Sequence, residues 1–175
     1  MLMLFCVPRC GRDGSAVVYS LLDDAFRAQF GRDLPVIEKT PAGKPFFPGE
    51  PGIHFSLSHC ATHVLCALSD SPVGVDIESP RSVSERTIRF FSSPDELSHF
   101  NPLELWVLKE SYIKLVGGNL MMVRKIRFSL ENGEIIAPDG QTKSRLYLVD
   151  GCTAAVSTHG ADVQSADCKW IVDSG

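Results

Sequence analysis

The sequence predicts an α+β fold, with antiparallel strands in hairpins and one long helix in the second half of the chain. The dipeptides Asn132-Gly133 and Asp150-Gly151 each lie between short runs of strand-forming residues, which is the pattern of a β-hairpin. Pro102 and Gly117 enclose a segment of about four helical turns that contains no internal breaker. Hairpins and helices in this arrangement favour α+β over a parallel α/β sheet.

The elements of the first part follow from apolar spacing and breakers. Apolar residues recur at helical spacing from Val18 to Phe26, so a helix is expected, with Ser15 as its cap and Gly31 at its end. The predicted elements are strands over 1–7, 34–40, 53–58 and 64–68, a helix over 15–30 and a proline-rich loop over 41–52.

The second part begins at an alternating segment, where Val73, Val75 and Ile77 share one strand face and Asp76 and Glu78 share the other. The further predicted elements are helices over 83–91, 94–100 and 102–116, and strands over 73–78, 125–130, 134–137, 145–149, 153–158 and 170–172.

Composition limits the function classes. Among 175 residues, 44% are hydrophobic and 22% charged, as in globular proteins. The net charge of −4 argues against a nucleic-acid-binding face along the whole chain. No apolar run reaches the roughly 18 residues of a membrane helix, and we predict no signal peptide. Six cysteines without a Cys-x-x-Cys pair indicate reduced thiols, so a cytoplasmic protein is expected.

Two carboxylates on one strand face are the first candidate site. Asp76 and Glu78 would repel each other unless a cation lies between them, and hard oxygen ligands suit Mg²⁺ or Mn²⁺. The alternative is an ordinary solvated strand face. Glu110 and Lys114 form a second pair, one turn apart on the long helix, for which the alternative is a surface ion pair.

Two weaker candidates lie nearer the N-terminus. Ser58 and His59 end a strand, where a hydroxyl and an imidazole can meet an anion, and Lys44 follows Gly43 in the proline-rich loop. Each also has a purely structural or solvated interpretation. His59, Cys60, His63 and Cys66 are zinc-compatible residue types, but strand alternation separates them, so we do not expect these four to form a zinc site.

Five motifs occur in a fixed order. They are Gly-Lys-Pro at 43–45, Phe-x-x-Ser-His at 55–59, Gly-Val-Asp-Ile-Glu at 74–78, Phe-Phe-Ser-x-x-x-Glu at 90–96, and Trp-x-x-Lys-Glu-Ser-x-x-Lys at 106–114. In this order and spacing, the chain closely resembles the 4′-phosphopantetheinyl transferases, strongly over 43–120. The closest likeness is to the pseudodimeric, Sfp-type branch, in which two similar α+β halves are fused.

The resemblance implies a fold of two α+β sub-domains, each a small antiparallel sheet packed with helices, with the active site at their junction. The predicted halves are 1–73, which is shortened, and 74–175. The resemblance also implies an activity, the transfer of 4′-phosphopantetheine from coenzyme A to a carrier-protein serine, with adenosine 3′,5′-bisphosphate as the other product. By position, the implied metal ligands are Asp76, Glu78 and Glu110, and Glu96 matches a further acidic position.

The remaining roles implied by the resemblance concern catalysis and coenzyme A. Asp76, Glu110 and Lys114 are the expected catalytic residues, with Glu110 as candidate base. The expected coenzyme A-binding residues are Lys44, Ser58, His59, Lys109 and Lys114. The expected geometry is that the three carboxylates face one another across one cleft within metal-bridging distance.

Partners and alternatives complete the prediction. The expected partner is an apo acyl or peptidyl carrier protein, which the basic residues among 109–127 and flexible Met121 and Met122 suit. A monomer is expected, with no nucleic acid and no membrane. The alternatives are a non-catalytic coenzyme A- or carrier-binding relative and a magnesium-dependent phosphoesterase.

Overall fold

The chain folds around two larger β-sheets and also forms a small two-stranded sheet, in a computed structural model that describes residues 1–161, 163 and 166–170. In chain order, the strands are β1 (Leu2–Pro8), β2 (Glu38–Lys39), β3 (Pro45–Phe46), β4 (His54–His59), β5 (His63–Ser69), β6 (Val73–Glu78), β7 (Ser129–Glu131), β8 (Glu134–Ile136), β9 (Lys143–Val149), β10 (Cys152–Thr158) and β11 (Asp167–Trp170). The helices are α1 (Gly14–Phe30), α2 (Glu85–Phe91), α3 (Pro94–His99), α4 (Pro102–Val116) and a 3₁₀ helix, Leu120–Arg124.

The N-terminal sheet has the order β11-β1-β5-β4, and the C-terminal sheet has the order β6-β10-β9-β8-β7. Strands β1 and β11 pair in parallel, and the other described pairs in these two sheets are antiparallel. The predicted α+β class with small antiparallel sheets is therefore confirmed. The predicted division between residues 73 and 74 stays a prediction, and the chain returns at β11 to the N-terminal sheet.

The core forms layers on both sides of each sheet. Leu4 and Leu65 of the N-terminal sheet and Val75 and Val156 of the C-terminal sheet belong to one buried cluster between the sheets. The outer face of the N-terminal sheet packs on α1, and the outer face of the C-terminal sheet packs on α4. Among the described residues, no helix combines the length and apolar character needed to cross a bilayer.

Helix α1 begins earlier than predicted. Asp13, not Ser15, is the N-cap, because its carboxylate accepts a hydrogen bond from the Ala16 N–H. Gly31 ends the helix as expected, in the left-handed conformation at φ 65°. Its apolar face is buried against the N-terminal sheet, which fixes the helix start beside the end of β4.

Helix α4 crosses β6 at very short range. A Cβ atom on Gly74 would lie 2.0 Å from the Ser111 carbonyl oxygen and 2.4 Å from the Leu115 nitrogen. Only glycine permits this approach. Because Gly74, Asp76 and Glu78 share one strand face, the same face that contacts α4 carries the two carboxylates.

The two sheets meet at β4 and β6 through serine hydroxyls. Ser56 Oγ accepts a hydrogen bond from the Val75 N–H at 3.0 Å, and Ser58 Oγ accepts one from the Ile77 N–H at 3.3 Å. Side chains therefore satisfy backbone donors of β6 that face the N-terminal sheet.

Three predicted strands differ from the structure. The segment 34–40 is strand only at β2, which pairs only with the short β3. The predicted strand over 125–130 begins only at Ser129, because the Phe128 N–H donates to Glu96 Oε1 instead of a strand partner. Of the predicted strand over 170–172, residues 171 and 172 lie outside the described residues.

Candidate active site

A cleft opens where β4, β6 and α4 meet. One lobe, of about 290 Å³, has polar and acidic walls and is called the carboxylate lobe here. It is lined by Leu57, Ser58, His59, Asp76, Glu78, Trp106, Glu110 and Lys114. The structure thus brings all three predicted carboxylates and Lys114 to one cavity at the junction of the sheets.

Asp76 is the most constrained residue of the carboxylate lobe. Its Oδ1 accepts hydrogen bonds from Ser58 Oγ at 2.7 Å and from Lys114 Nζ at 2.8 Å. The Asp76 side chain is 9% exposed and that of Lys114 is 30% exposed. A partly buried carboxylate with two donors on one oxygen leaves its other oxygen available to a ligand.

Glu78 points toward a partner that sequence analysis did not foresee. Arg81 binds both its oxygens, with Nη2–Oε1 at 3.1 Å and Nε–Oε2 at 3.3 Å. Asp76, Glu78 and Glu110 do not form a group whose ligand atoms all lie within 4.8 Å of one another. The expected metal-bridging separation is therefore not reached in this conformation, in which Lys114 binds Asp76 and Arg81 binds Glu78.

Glu110 is a carboxylate of the lobe with a raised pKa. Burial raises its pKa above the ordinary 4.5, and the negative charges of Asp76 and Glu78 add to the increase. Lys114 acts in the opposite direction but does not cancel these effects. Such a shift is expected for a carboxylate that is buried first and foremost and that also lies near like charges.

A second lobe of about 410 Å³ joins the carboxylate lobe and is called the loop lobe here. The two lobes share Leu57, Ser58, His59, Glu110 and Lys114. The loop lobe extends to the proline-rich loop and the start of α1, and its further lining includes Ser15, Tyr19, Lys39, Lys44, Ile113 and Gly118. Sequence analysis missed Tyr19 and Lys39, which only the packing of α1 and β2 brings to the cleft.

Lys44 forms one wall of the loop lobe. Its Nζ donates a 2.6 Å hydrogen bond to the Leu115 carbonyl near the end of α4, and burial lowers its pKa. Lys44 thus lines the same lobe as Ser58, His59 and Lys114, although these residues are far apart in the sequence.

Ser58 and His59 join the two lobes. His59 packs against the first residue of α1, since a Cβ on Gly14 would lie 2.8 Å from its ring. Ser58 has two tasks, because its hydroxyl accepts from Ile77 and donates to Asp76. This hydroxyl links the register of the two sheets to the position of the carboxylate.

Lys109 is not brought to the cleft with the other predicted residues. Its side chain is 0% exposed, and Nζ lies 2.8 Å from Glu96 Oε1, which is itself buried. Nζ also donates to the backbone carbonyls of Phe91, Val123 and Ile126. Glu96 also lies in this core and does not line the cavity. In the core it caps α3 and accepts a hydrogen bond from the Phe128 N–H.

The four zinc-compatible residues His59, Cys60, His63 and Cys66 do not come together in one place, as predicted. His59 lines the cleft, and Cys66 belongs to the core under α1. Cys60 and His63, however, lie together with Cys152. Cys152 escaped the sequence analysis because it lies far away along the chain.

Part of this site lies in a segment of the chain that matches a known protein family. The family model described as the 4′-phosphopantetheinyl transferase superfamily matches residues 72–159, about half of the chain. The matched segment runs from just before β6 to just after β10. It therefore contains Asp76, Glu78, Glu110 and Lys114, whereas Lys44, Ser58 and His59 precede it.

Curated relatives match at similar levels. The chain is 34% identical over 90 residues to "4′-phosphopantetheinyl transferase Sfp" of Bacillus subtilis (strain 168), covering 46% of this chain and 40% of that protein. It is 36% identical over 94 residues to "4′-phosphopantetheinyl transferase gsp" of Aneurinibacillus migulanus, covering 47% and 38%. It is 33% identical over 122 residues to "4′-phosphopantetheinyl transferase psf-1" of Bacillus pumilus, covering 63% and 50%. The chain thus spans half the length, or less, of these relatives.

Proposed function

Because the chain belongs to the 4′-phosphopantetheinyl transferase superfamily, we propose that it transfers 4′-phosphopantetheine from coenzyme A to a serine of an acyl or peptidyl carrier protein. The observation that carries this proposal is the single cleft shared by Asp76, Glu78, Glu110 and Lys114. In the transfer, the serine oxygen forms a bond to the phosphorus of the pantetheine phosphate. The bond from that phosphorus to adenosine 3′,5′-bisphosphate breaks, and the serine proton passes to a base.

The carboxylates fit a hard divalent cation, magnesium or alternatively manganese. The donor set is three carboxylate side chains in one cavity, which are the hard oxygen ligands that such a cation prefers. A bound magnesium ion would supply charge neutralisation at the pyrophosphate. Asp76, Glu78 and Glu110 are the residues that would hold it, with Arg81 releasing Glu78.

Positive groups on the cleft wall suit the phosphates of coenzyme A. Lys114 extends from α4 into the part that both lobes share, and Lys44 faces it from the proline-rich loop. Ser58 and His59 line both lobes as well. We assign these four residues to coenzyme A and leave Lys109 out, since its ammonium is fully buried and bound to Glu96.

Glu110 is the proposed base for the serine hydroxyl. A carboxylate whose pKa is raised by burial accepts a proton more readily at neutral pH than an ordinary glutamate. Its position on the wall common to both lobes lets it reach a substrate from either one.

The proposed surface for the carrier protein lies beside the cleft, on the 3₁₀ helix. Leu120 and Met121 are 51% and 63% exposed, and Leu120 also lines the loop lobe. Arg124 lies over the Phe90 ring at 5.0 Å and adds positive charge for an acidic partner. We further propose that the protein acts as a cytoplasmic monomer, without nucleic acid or a membrane.

The transfer is tested by measuring the intact mass of the acceptor. The chain is incubated with coenzyme A, magnesium and an apo carrier protein, and the carrier is analysed by mass spectrometry. We expect a gain equal to one phosphopantetheine group. No gain across several acyl and peptidyl carriers, with coenzyme A binding retained in calorimetry, would replace this proposal with the non-catalytic alternative.

Variants identify the residues involved. Asp76→Ala and Glu110→Ala should each lower transfer by at least about 100-fold, in the range found when a charge-stabilising group is removed. Glu85→Ala, an exposed carboxylate on α2, is the matched control and should transfer normally. Near-normal transfer by either cleft variant would refute its assignment.

A further inference from the structure

A second cluster of reactive side chains lies outside the cleft. Cys60 and His63 flank the turn between β4 and β5, and Cys152 begins β10. The three side chains are buried, and their ligand atoms all lie within 4.8 Å of one another. The proposed transfer chemistry uses none of these residues.

The distances in this cluster match a tetrahedral metal site. Cys60 Sγ and Cys152 Sγ are 3.9 Å apart, and Cys152 Sγ is 3.4 Å from His63 Nδ1. Zinc bonds of about 2.3 Å to sulfur and about 2.0–2.1 Å to nitrogen, at tetrahedral angles, give S–S and S–N separations of about 3.8 and 3.6 Å. The side chains therefore need little movement to enclose one ion.

A hydroxyl occupies the fourth corner. Thr62 Oγ1 lies 2.9 Å from His63 Nδ1, 3.3 Å from Cys152 Sγ and 3.7 Å from Cys60 Sγ. These are again separations found along the edges of a tetrahedron. A neutral oxygen is a weak ligand, so this corner suits Thr62 or a water molecule that replaces it.

The second ring nitrogen of His63, Nε2, has a carboxylate nearby that can orient the ring while Nδ1 binds a metal. His63 Nε2 is buried and makes no hydrogen bond of good geometry to the described residues, although Asp150 Oδ2 lies 3.3 Å away. When Nδ1 binds a metal, Nε2 carries the proton and can donate it to Asp150. A carboxylate behind a ligating histidine is a recurrent feature of zinc sites.

The thiols differ in how readily they ionise. Burial alone would raise the pKa of Cys60, but hydrogen bonds from Ser79 and from the backbone of Thr62 and His63 outweigh burial and lower it. Burial raises the pKa of the neighbouring Cys6 to about 12. Burial also raises the pKa of Cys152, so it is the geometry of this cluster, and not the ionisation of its thiols, that suits a metal.

We propose that Cys60, His63 and Cys152 bind one zinc ion, with Asp150 orienting the histidine. Two thiolates and an imidazole select a borderline-soft ion over magnesium. The ion would join the turn after β4 in the N-terminal sheet to the start of β10 in the C-terminal sheet. The cluster lies one residue from His59, so bound zinc would restrain the wall of the cleft. The proposal does not depend on the transferase assignment.

Metal uptake by the untagged full chain tests the proposal. The reduced protein is stripped with a chelator, and zinc is added and measured by elemental analysis after gel filtration. We expect one zinc ion per chain and a rise in melting temperature, because the metal binds the folded state. Cobalt(II) in place of zinc should give a thiolate charge-transfer band and the visible spectrum of tetrahedral coordination, which a carboxylate-bound ion in the cleft would not give.

Variants separate this site from other thiols. Cys152→Ala and His63→Gln should each abolish the cobalt–thiolate spectrum, whereas Cys66→Ala, an equally buried thiol in the core under α1, should keep it. Asp150→Asn should weaken zinc binding by about 10- to 100-fold, the usual cost of losing such an orienting group.

Two results would overturn the proposal, and both use the wild-type chain, so misfolding of a variant cannot mask them. One is the absence of zinc uptake and of the cobalt–thiolate band in fully reduced protein. The other is a mass lower by two hydrogens after mild oxidation, mapped to Cys60 and Cys152, together with no metal uptake beforehand. That result would make the pair a disulfide site instead.

Discussion

Two lysines on α4, five residues apart, lie in contrasting regions of the molecule. Lys109 faces the core, fully buried, with Glu96 and three backbone carbonyls around its ammonium. Lys114 faces the cleft, 30% exposed, and its Nζ donates a hydrogen bond to Asp76. Five residues turn a helix by about 140°, which separates the two faces. The comparison shows that a lysine ammonium whose N–H donors are all bound inside the protein has a structural role. A lysine ammonium with N–H donors still available can bind a substrate.

The largest effect expected from this comparison is on the stability of the core face. Lys109→Met should lower the free energy of unfolding by about 3–5 kcal/mol, because the buried carboxylate of Glu96 loses its counter-charge. Urea denaturation of the variant measures this loss.

The double variant Glu96→Gln/Lys109→Met is the control for that measurement. It removes both charges and should recover part of the lost stability. If the single variant unfolds like the wild type, the pair does not stabilise the core and the contrast between the two lysines disappears.

A smaller effect on stability is expected on the cleft face. Lys114→Met should change the free energy of unfolding by no more than about 1 kcal/mol, since its partly exposed pair with Asp76 is screened by solvent. Its transfer activity should fall sharply while the fold is retained. A variant that is as unstable as Lys109→Met would show that Lys114 is also structural.

The smallest effect concerns pH. The folded state raises the pKa of Glu110, so between 4.5 and the folded value it binds more protons than the unfolded state. Stability contributed by the neutral form is present below 4.5 and is lost as pH rises through the folded pKa. Glu110→Gln should therefore be slightly more stable than the wild type at pH 7 and equal to it at pH 4.

Denaturation at the two pH values, in the presence of a chelator, measures this difference. Magnesium should reverse its sign, since a cation in the carboxylate lobe favours ionised Glu110. A stability difference that does not change with pH would mean that burial and the neighbouring charges of Asp76 and Glu78 do not raise the pKa of Glu110.

Local sequence patterns predict the carboxylate side of the cleft well. Strand alternation places Asp76 and Glu78 on one face, and helical spacing places Glu110 and Lys114 on one face. The facing arrangement also needs Gly74, whose role in the contact with α4 is evident only once the helix is packed on the strand.

The parts that the sequence does not reveal depend on contacts between distant segments. Lys109 adjoins Glu110 in the sequence, yet its burial depends on Glu96 and on carbonyls of three other segments. Arg81 forms an ion pair with Glu78 across the turn that follows β6. Cys152 reaches Cys60 and His63 only through the packing of the two sheets, which no spacing pattern records.

The serine hydroxyls between β4 and β6 fix the register of the two sheets relative to each other. Ser56 and Ser58 are two residues apart, as are Val75 and Ile77, so both hydrogen bonds form in only one register. A slip of one residue would present Leu57 to β6 in place of a hydroxyl. Inserting or deleting one residue within either strand would therefore misalign Asp76 with Ser58 and disturb the most constrained carboxylate of the cleft.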